Sequence, residues 1–98
     1  MSRIEFSHAV AADLERLARH LHEHDSAHAD SRAAEILAAI DVLHGNPRIG
    51  RPVGEGWREL VIGRSNGGYL ALYRYIADLD IVFVLAIRAQ REAGYTQT

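Results

Sequence analysis

The chain has 98 residues, a formal net charge of −2 and no cysteine, so its length suits one domain and disulfides and thiolate metal sites are excluded. No apolar stretch reaches the length of a membrane span and the first residues contain no signal-peptide core, so we expect a single domain over residues 1–98, located in the cytoplasm. Residues 1–45 carry four Arg against eight acidic residues, residues 46–98 carry seven Arg against five, and lysine is absent. Binding of an anion would therefore need a local arginine patch in the second half.

The first half of the sequence predicts a short strand followed by a helical hairpin. Ile4 and Phe6 alternate with polar residues, which is typical of a strand. Ser7 can cap the helix that follows, in which apolar residues recur at helical spacing from Val10 to Leu21 until the segment HDSAHAD interrupts the pattern. A second helical stripe ends at Gly-Asn-Pro and consists of Ala33, Ile36, Leu37, Ile40 and Leu43. Because the connection is short, we expect the two helices to form an antiparallel hairpin.

The second half predicts a sheet. Residues 46–56, NPRIGRPVGEG, contain both prolines and three of the eight glycines and predict a loop. The segments WRELVIG, YLALYRYIA and DIVFVLAIR predict three strands joined by tight turns. The order β-α-α-β-β-β favours an α+β, two-layer fold, with an antiparallel sheet packed against the N-terminal helical hairpin. The last strand is apolar on both faces, which predicts a central position whose second face is covered by the chain's own tail or by a partner.

Arginine, tryptophan and tyrosine residues in or beside the predicted strands are candidates for a binding surface. Period-two counting places Arg74 on an apolar strand face with Leu70 and Leu72, and places Arg88 on one with Val82, Val84 and Ala86. An arginine in such a position either reaches water at the rim or pairs across the sheet, and a pair between Arg74 and Glu59 is the alternative to a binding role. Arginine suits interfaces because its fork pairs with carboxylates and its stem covers apolar surface. The candidate residues are Trp57, Arg58, Arg64, Arg74, Arg88, Arg91 and Tyr95.

Two other groups of residues have structural explanations that we prefer to functional ones. The run HLHEHDSAH places histidines four apart, a spacing found in metal sites. A solvated helix end explains this run better, so we expect no metal and no cofactor. Tyr69, Tyr73 and Tyr75 could stack on nucleic-acid bases, but they share one strand face, which is more typical of a core layer with hydroxyls at its rim.

The order of these segments resembles the RelE/ParE family of bacterial type II toxins, from about Ile4 to Tyr95. The resemblance rests on LHGNPRIGRPV after the second helix, on GGYLALYRY in the middle strand and on the ending DIVFVLAIRAQREAGY. It implies a toxin held in a hetero-oligomer by a cognate, ParD-like antitoxin. Within the family, RelE-like members are ribosome-dependent mRNA endonucleases, whereas ParE-like members poison DNA gyrase.

The residues favour the ParE-like branch. Tyr95 is similar in position to the C-terminal tyrosine of RelE-like nucleases, and Arg88 or Arg91 could neutralise a phosphate. However, Leu70 stands where RelE-like sequences have arginine, the chain has no lysine, and a tyrosine with an ordinary pKa of about 10 is a poor base. The resemblance then implies growth arrest through gyrase inhibition by protein–protein binding. The alternatives are a RelE-like endonuclease using Arg88, Arg91 and Tyr95, and a degenerate, non-toxic member that still binds the antitoxin.

Overall fold

The computed structural model describes residues 1–63, 67–92 and 94–95, in which the chain forms two α-helices and five β-strands. The helices are α1 (His8–His24) and α2 (Ala29–Asp41). The strands are β1 (Arg3–Phe6), β2 (Arg51–Gly54), β3 (Trp57–Ile62), β4 (Tyr69–Ile76) and β5 (Ile81–Ala89). Both helices pack on one face of a single sheet, which confirms the predicted two-layer α+β fold. None of the helices in the described ranges combines the length and apolarity that a membrane crossing needs.

The sheet has the strand order β1-β5-β4-β3-β2, so β5 lies between two neighbours, as its apolar pattern predicted. β1 pairs with β5 in parallel, and the other three pairs of strands are antiparallel. β2 corrects the prediction of a loop between α2 and β3. Proline and glycine are depleted in strands, but an edge strand tolerates Pro52 because no neighbour needs its missing N–H group.

A two-residue turn, Glu55-Gly56, joins β2 to β3. Both residues have positive φ, 55° and 83°, which matches the type I′ turn that suits the twist of a hairpin. The turn between β4 and β5 is a short 3₁₀ segment, Ala77–Leu79, that ends at Asp80 with φ 52°. The predicted turn before β4 falls partly on residues 64–66, outside the described residues.

The core lies between the two helices and the inner face of the sheet, which we define as the face that contacts α1 and α2. Leu17, Ile36 and Ile40 of the helices pack there with buried residues of β3, β4 and β5. Tyr69 and Tyr73 of β4 belong to this core and Tyr75 packs against it, which confirms that the tyrosines form a core layer. The one misplaced residue of the helical stripes is Leu37, whose exposed fraction is 53%.

The α1 helix begins and ends where the sequence predicted, but with different contacts. Ser7 occupies the N-cap position, yet its hydroxyl donates to the Leu85 carbonyl at 2.6 Å and caps nothing. The helix ends at His24, and a 3₁₀ turn over Ser26–His28 leads into α2. Ser7 therefore links the start of α1 to β5.

Side chains take the place of a neighbouring strand along β5 beyond the end of β1. The Ile87 N–H donates to Asp13 Oδ2 at 2.9 Å, and the Ile87 carbonyl accepts from Arg16 Nη2 at 3.3 Å. The Ala89 N–H donates to Glu92 Oε1 at 2.8 Å. Asp13, with an exposed fraction of 1%, also pairs with Arg16 at 2.7 Å, so its charge is compensated. These bonds join α1 to the end of β5.

Candidate functional site

Most of the predicted site residues lie on the outer face, which we define as the face of the sheet turned away from the helices. Strand alternation and register decide which side chains point there, since Trp57 is opposite Arg74 and Leu70 is opposite Arg88. The outer face is formed by Trp57, Glu59, Val61, Leu70, Leu72, Arg74, Phe83, Ala86 and Arg88.

Four residues of this face and its margin form what we call the Glu59 cluster: Arg51, Glu59, Arg88 and Tyr95. Arg51 of the edge strand contacts Glu59 Oε1 through Nη2 at 2.6 Å and through Nε at 3.1 Å. The Tyr95 hydroxyl donates to the other oxygen, Oε2, at 2.6 Å. The Arg88 guanidinium lies over the Tyr95 ring, 5.0 Å from its centroid. Tyr95 therefore covers part of the outer face, and Glu59 is only 8% exposed.

The electrostatics of the Glu59 cluster fix the protonation state of its two acids. Burial acts to raise the pKa of Glu59, but hydrogen bonds from Tyr95 and Arg51 and the charges of Arg51 and Arg88 outweigh it, so this pKa lies below its ordinary value. Burial and the hydrogen bond to the Glu59 carboxylate raise the pKa of Tyr95 well above its ordinary value. At neutral pH the cluster therefore holds an ionised Glu59 and a neutral Tyr95, whose hydroxyl donates a hydrogen bond to the Glu59 carboxylate.

A second contact on the outer face joins Trp57 and Arg74. The Arg74 guanidinium lies 4.3 Å from the centroid of the Trp57 ring, within the range of a cation–π interaction. Its Nη2 atom also donates to the Glu55 carbonyl at 2.6 Å, which holds the turn between β2 and β3. The predicted alternative, a pair between Arg74 and Glu59, is wrong because Arg51 and Tyr95 occupy both Glu59 oxygens.

Arg88 lies on the outer face, but not with the residues that period-two counting gave it. The register between β4 and β5 shifts at Leu72, because Leu72 pairs with Ala86 while Tyr73 pairs with Val84. One extra residue in β5 reverses the alternation at that point. Val82 and Val84 consequently belong to the core of the inner face, and of the predicted companions only Ala86 shares a face with Arg88.

The other predicted residues lie elsewhere. Arg58 donates to the Arg48 carbonyl at 3.0 Å and to the Gly50 carbonyl at 2.7 Å, so it holds the segment that leads into β2. Arg91 does not join Arg88 and Tyr95; it is exposed and lines a cavity beside α1 with Leu17. Arg64 lies outside the described residues.

Arg51 and Glu59 are both central to the Glu59 cluster, although the sequence pattern predicted neither as a site residue. The only indication was a carboxylate at an alternating position of WRELVIG, which the sequence could not connect to a tyrosine 36 positions away. Among the described residues, no three His, Cys, Asp or Glu side chains come together as metal ligands. The rings of His20 and His24 lie 4.4 Å apart, and His28 contacts Asp25 at 2.8 Å.

Residues 4–94 match the family model described as the ParE toxin of type II toxin-antitoxin system, parDE. The chain belongs to this family. No curated protein matches the chain.

Three solved structures show the same fold as this ParE-family chain. A chain of the chromosomal ParDE toxin–antitoxin system from P. aeruginosa has a TM-score of 0.76 and 22% identity, and the match covers 91% of this chain and 96% of that one. A chain of the intact E. coli RelBE toxin–antitoxin complex has a TM-score of 0.65 and 15% identity, and the match covers 94% of this chain and 100% of that one. A chain of the RelBE2 toxin–antitoxin complex from Mycobacterium tuberculosis has a TM-score of 0.61 and 20% identity, and the match covers 91% of this chain and 98% of that one.

Proposed function

We propose that this ParE-family chain inhibits DNA gyrase by binding it, and that a cognate antitoxin neutralises the chain in a hetero-oligomeric complex. Family membership and the fold shared with ParDE and RelBE chains support a toxin that acts beside an antitoxin. The observation that carries the choice of gyrase over mRNA is the Glu59 cluster, in which the neutral Tyr95 hydroxyl donates a hydrogen bond to a carboxylate.

Metal-free RNA cleavage needs a base for the 2′-hydroxyl, an acid for the leaving oxygen and cations for the phosphate. Tyr95 is a poor base because its pKa is raised, and Glu59 is a poor base because its pKa is lowered and both of its oxygens accept hydrogen bonds. Arg51 is engaged with the carboxylate and Arg88 with the tyrosine ring. This arrangement is better suited to a rigid contact surface than to acid–base chemistry.

The rest of the outer face has the composition of a protein interface. Tryptophan and arginine are the residue types most enriched at the centres of such interfaces, and here Trp57 and Arg74 stack on each other. Val61 adds an apolar side chain with an exposed fraction of 47%. A partner that covered this surface would gain apolar contact at Val61 and carboxylate pairing at the arginines.

The test is to add the purified chain to DNA gyrase and measure supercoiling, and to follow mRNA integrity in cells that express the chain without its antitoxin. We expect inhibited supercoiling and intact mRNA. Cleaved mRNA with unaffected gyrase would support the RelE-like alternative instead, which the convergence of Arg51, Arg88 and Tyr95 on one surface favours. Normal supercoiling, intact mRNA and normal growth would leave a non-toxic antitoxin-binding member.

A matched pair of substitutions locates the surface. Val61→Glu places a charge on the outer face, whereas Val42→Glu places one after α2, and the two valines have similar exposed fractions of 47% and 45%. We expect Val61→Glu to weaken gyrase inhibition by roughly tenfold or more, because the charge must be desolvated in the complex. Val42→Glu should leave inhibition unchanged. If both variants weakened gyrase inhibition equally, the outer face would not be the gyrase-binding surface.

A further inference from the structure

A groove runs between the C-terminal half of α1 and the ends of β4 and β5, on the helix side of the sheet. It consists of two adjoining cavities of about 320 and 340 Å³, which share Leu17, His20, Ala89 and Arg91 as lining residues. We call it the α1 groove. It is separate from the outer face, where the Glu59 cluster lies.

The α1 groove has an apolar floor and a charged rim. Leu17, Leu21, Tyr69 and Ala89 contribute apolar atoms to its lining. The rim carries basic side chains on both sides and two carboxylates, one at each end; its ionisable residues are Arg16, His20, His24, Asp25, Arg32, Arg91 and Glu92. Such a surface fits a ligand that offers apolar and charged groups together.

Both carboxylates of the rim are already paired. Asp25 accepts from Arg32 at 3.2 Å and contacts His28 at 2.8 Å. Glu92 accepts from Arg16 at 3.1 Å and from the Ala89 N–H at 2.8 Å.

Arg91 is the arginine of the rim that takes part in neither of these ion pairs. It is exposed, and none of the carboxylates in the described ranges forms an ion pair with it. Arg91 therefore presents a positive charge to a partner, although Arg16, which contacts both Asp13 and Glu92, brings the charges around the groove into balance.

The dimensions of the groove suit a short extended peptide. The rim on α1 extends from Arg16 to Asp25, nine residues apart, which corresponds to roughly 14 Å at the helical rise of about 1.5 Å per residue. An extended chain advances about 3.3–3.6 Å per residue, so roughly four residues would fill this length.

We propose that the α1 groove binds a short, extended, acidic segment of the antitoxin. Apolar side chains of that segment lie on Leu17 and Leu21, and a carboxylate pairs with Arg91. The proposal rests on the proposed function, because it takes the antitoxin as the partner. A phosphate chain fits less well, because it has no apolar groups to place on Leu17 and Leu21.

The experiment measures the dissociation constant of the purified chain and its antitoxin by calorimetry for Arg91→Glu and for a control, Arg19→Glu. Arg19 is exposed on the same helix and does not line the groove. We expect Arg91→Glu to weaken binding by roughly tenfold or more, because attraction to an acidic segment becomes repulsion, and Arg19→Glu to change it by less than about twofold. High salt should weaken the wild-type complex more than the Arg91→Glu complex.

A second readout keeps the test independent of any loss of folding. In the wild-type chain, amide resonances of Leu17, Gly68 and Ala89 should shift when the antitoxin is added. Wild-type affinity in Arg91→Glu, or unchanged resonances, would overturn the proposal. The proposal would also be overturned if a short single-stranded RNA bound the wild type but not Arg91→Glu, while both proteins bound the antitoxin with the same affinity.

Failure of the proposed function is distinguishable from failure of the groove. If the chain does not inhibit gyrase but its binding to the antitoxin depends on Arg91, the gyrase proposal is overturned and the groove proposal is supported. A wild-type chain that binds no antitoxin would overturn both.

Discussion

The Tyr95 hydroxyl donates a 2.6 Å hydrogen bond to the Glu59 carboxylate, joining residues 36 positions apart in the sequence. Glu59 lies in β3 and Tyr95 follows β5, with β4 between these strands in the sheet. The bond therefore holds Tyr95 against the outer face. It places Tyr95 and Arg88 on the same surface as Trp57 and Arg74.

Tyr95→Phe should lower the free energy of unfolding by about 1–2 kcal/mol, because Glu59 loses a donor to its charged oxygen. Under the proposed function this variant should still arrest growth, since the hydroxyl performs no chemistry. Urea unfolding and growth in cells without the antitoxin measure the two effects. Tyr75→Phe is the control, because the Tyr75 hydroxyl also contacts a carboxylate, Asp80, at 2.8 Å. Loss of toxicity in Tyr95→Phe alone would favour the endonuclease.

Glu59→Gln should make the free energy of unfolding depend less on pH at acidic pH. The pKa of Glu59 is lower in the folded chain than its ordinary value of 4.5, so its contribution to stability is full above about pH 4.5 and is lost as the pH falls through the folded pKa. Asp25 and Asp80 also have lowered pKa values, but they titrate in both proteins. We therefore expect the wild type to lose more stability than Glu59→Gln between pH 5 and pH 3, measured by urea unfolding. Parallel curves would show that Glu59 contributes no pH-dependent stability.

Gly50→Ala should destabilise the fold by about 1–3 kcal/mol, because overpacking a filled core forces neighbours to move. A Cβ atom at Gly50 would lie 2.6 Å from Cε1 of Tyr73, and the Gly50 N–H donates to the Tyr73 hydroxyl at 2.8 Å. Gly45→Ala is the control, since its φ is −103° and a Cβ there would have no neighbour within 4 Å. Thermal unfolding should separate the two variants. Equal melting temperatures would mean that Tyr73 can move aside without cost.

Asp13→Ala should lower the free energy of unfolding by about 2–4 kcal/mol, because it leaves the Ile87 N–H without an acceptor and removes the carboxylate that Arg16 Nη1 contacts. The control is Glu15→Ala, an exposed acidic residue of the same helix. Hydrogen exchange gives a local readout, since the Ile87 amide should lose protection in Asp13→Ala only. An Ile87 amide that stays as protected as in the wild type would show that another acceptor replaces Asp13.

The helices and the three longest strands could be predicted because their patterns are local. Apolar residues at helical spacing define α1 and α2, and runs of β-branched and aromatic residues define β3, β4 and β5. β2 could not be predicted in this way, because an edge strand buries little and its sequence RPVG contains the two residue types that most often interrupt strands. The Glu-Gly dipeptide after it was the one local indication of a hairpin.

The candidate site was predicted only in part, because its geometry depends on contacts that no pattern encodes. The extra residue of β5 near Leu85 reversed the expected face of Val82 and Val84, and a bulge of this kind has no sequence marker. The choice of Arg51 over Arg74 as the partner of Glu59 follows from the register of β2, a strand that was not expected. Arg91 was grouped with Arg88 because they are near in sequence, but the chain turns between them and directs the two arginines to opposite sides of the sheet.

The pairing of β1 with β5 also determines when the fold can form during translation. Among the described strands β1 has β5 as its one neighbour, and the bonds from Ser7 to Leu85 and from Ile87 to Asp13 span 78 and 74 positions. A nascent chain that has emerged only as far as β4 therefore lacks the strand that β1 pairs with and that α1 contacts. Because the Glu59 cluster needs Tyr95, the finished surface forms only after residue 95 has left the ribosome, so a partner encounters a completed protein rather than a growing one.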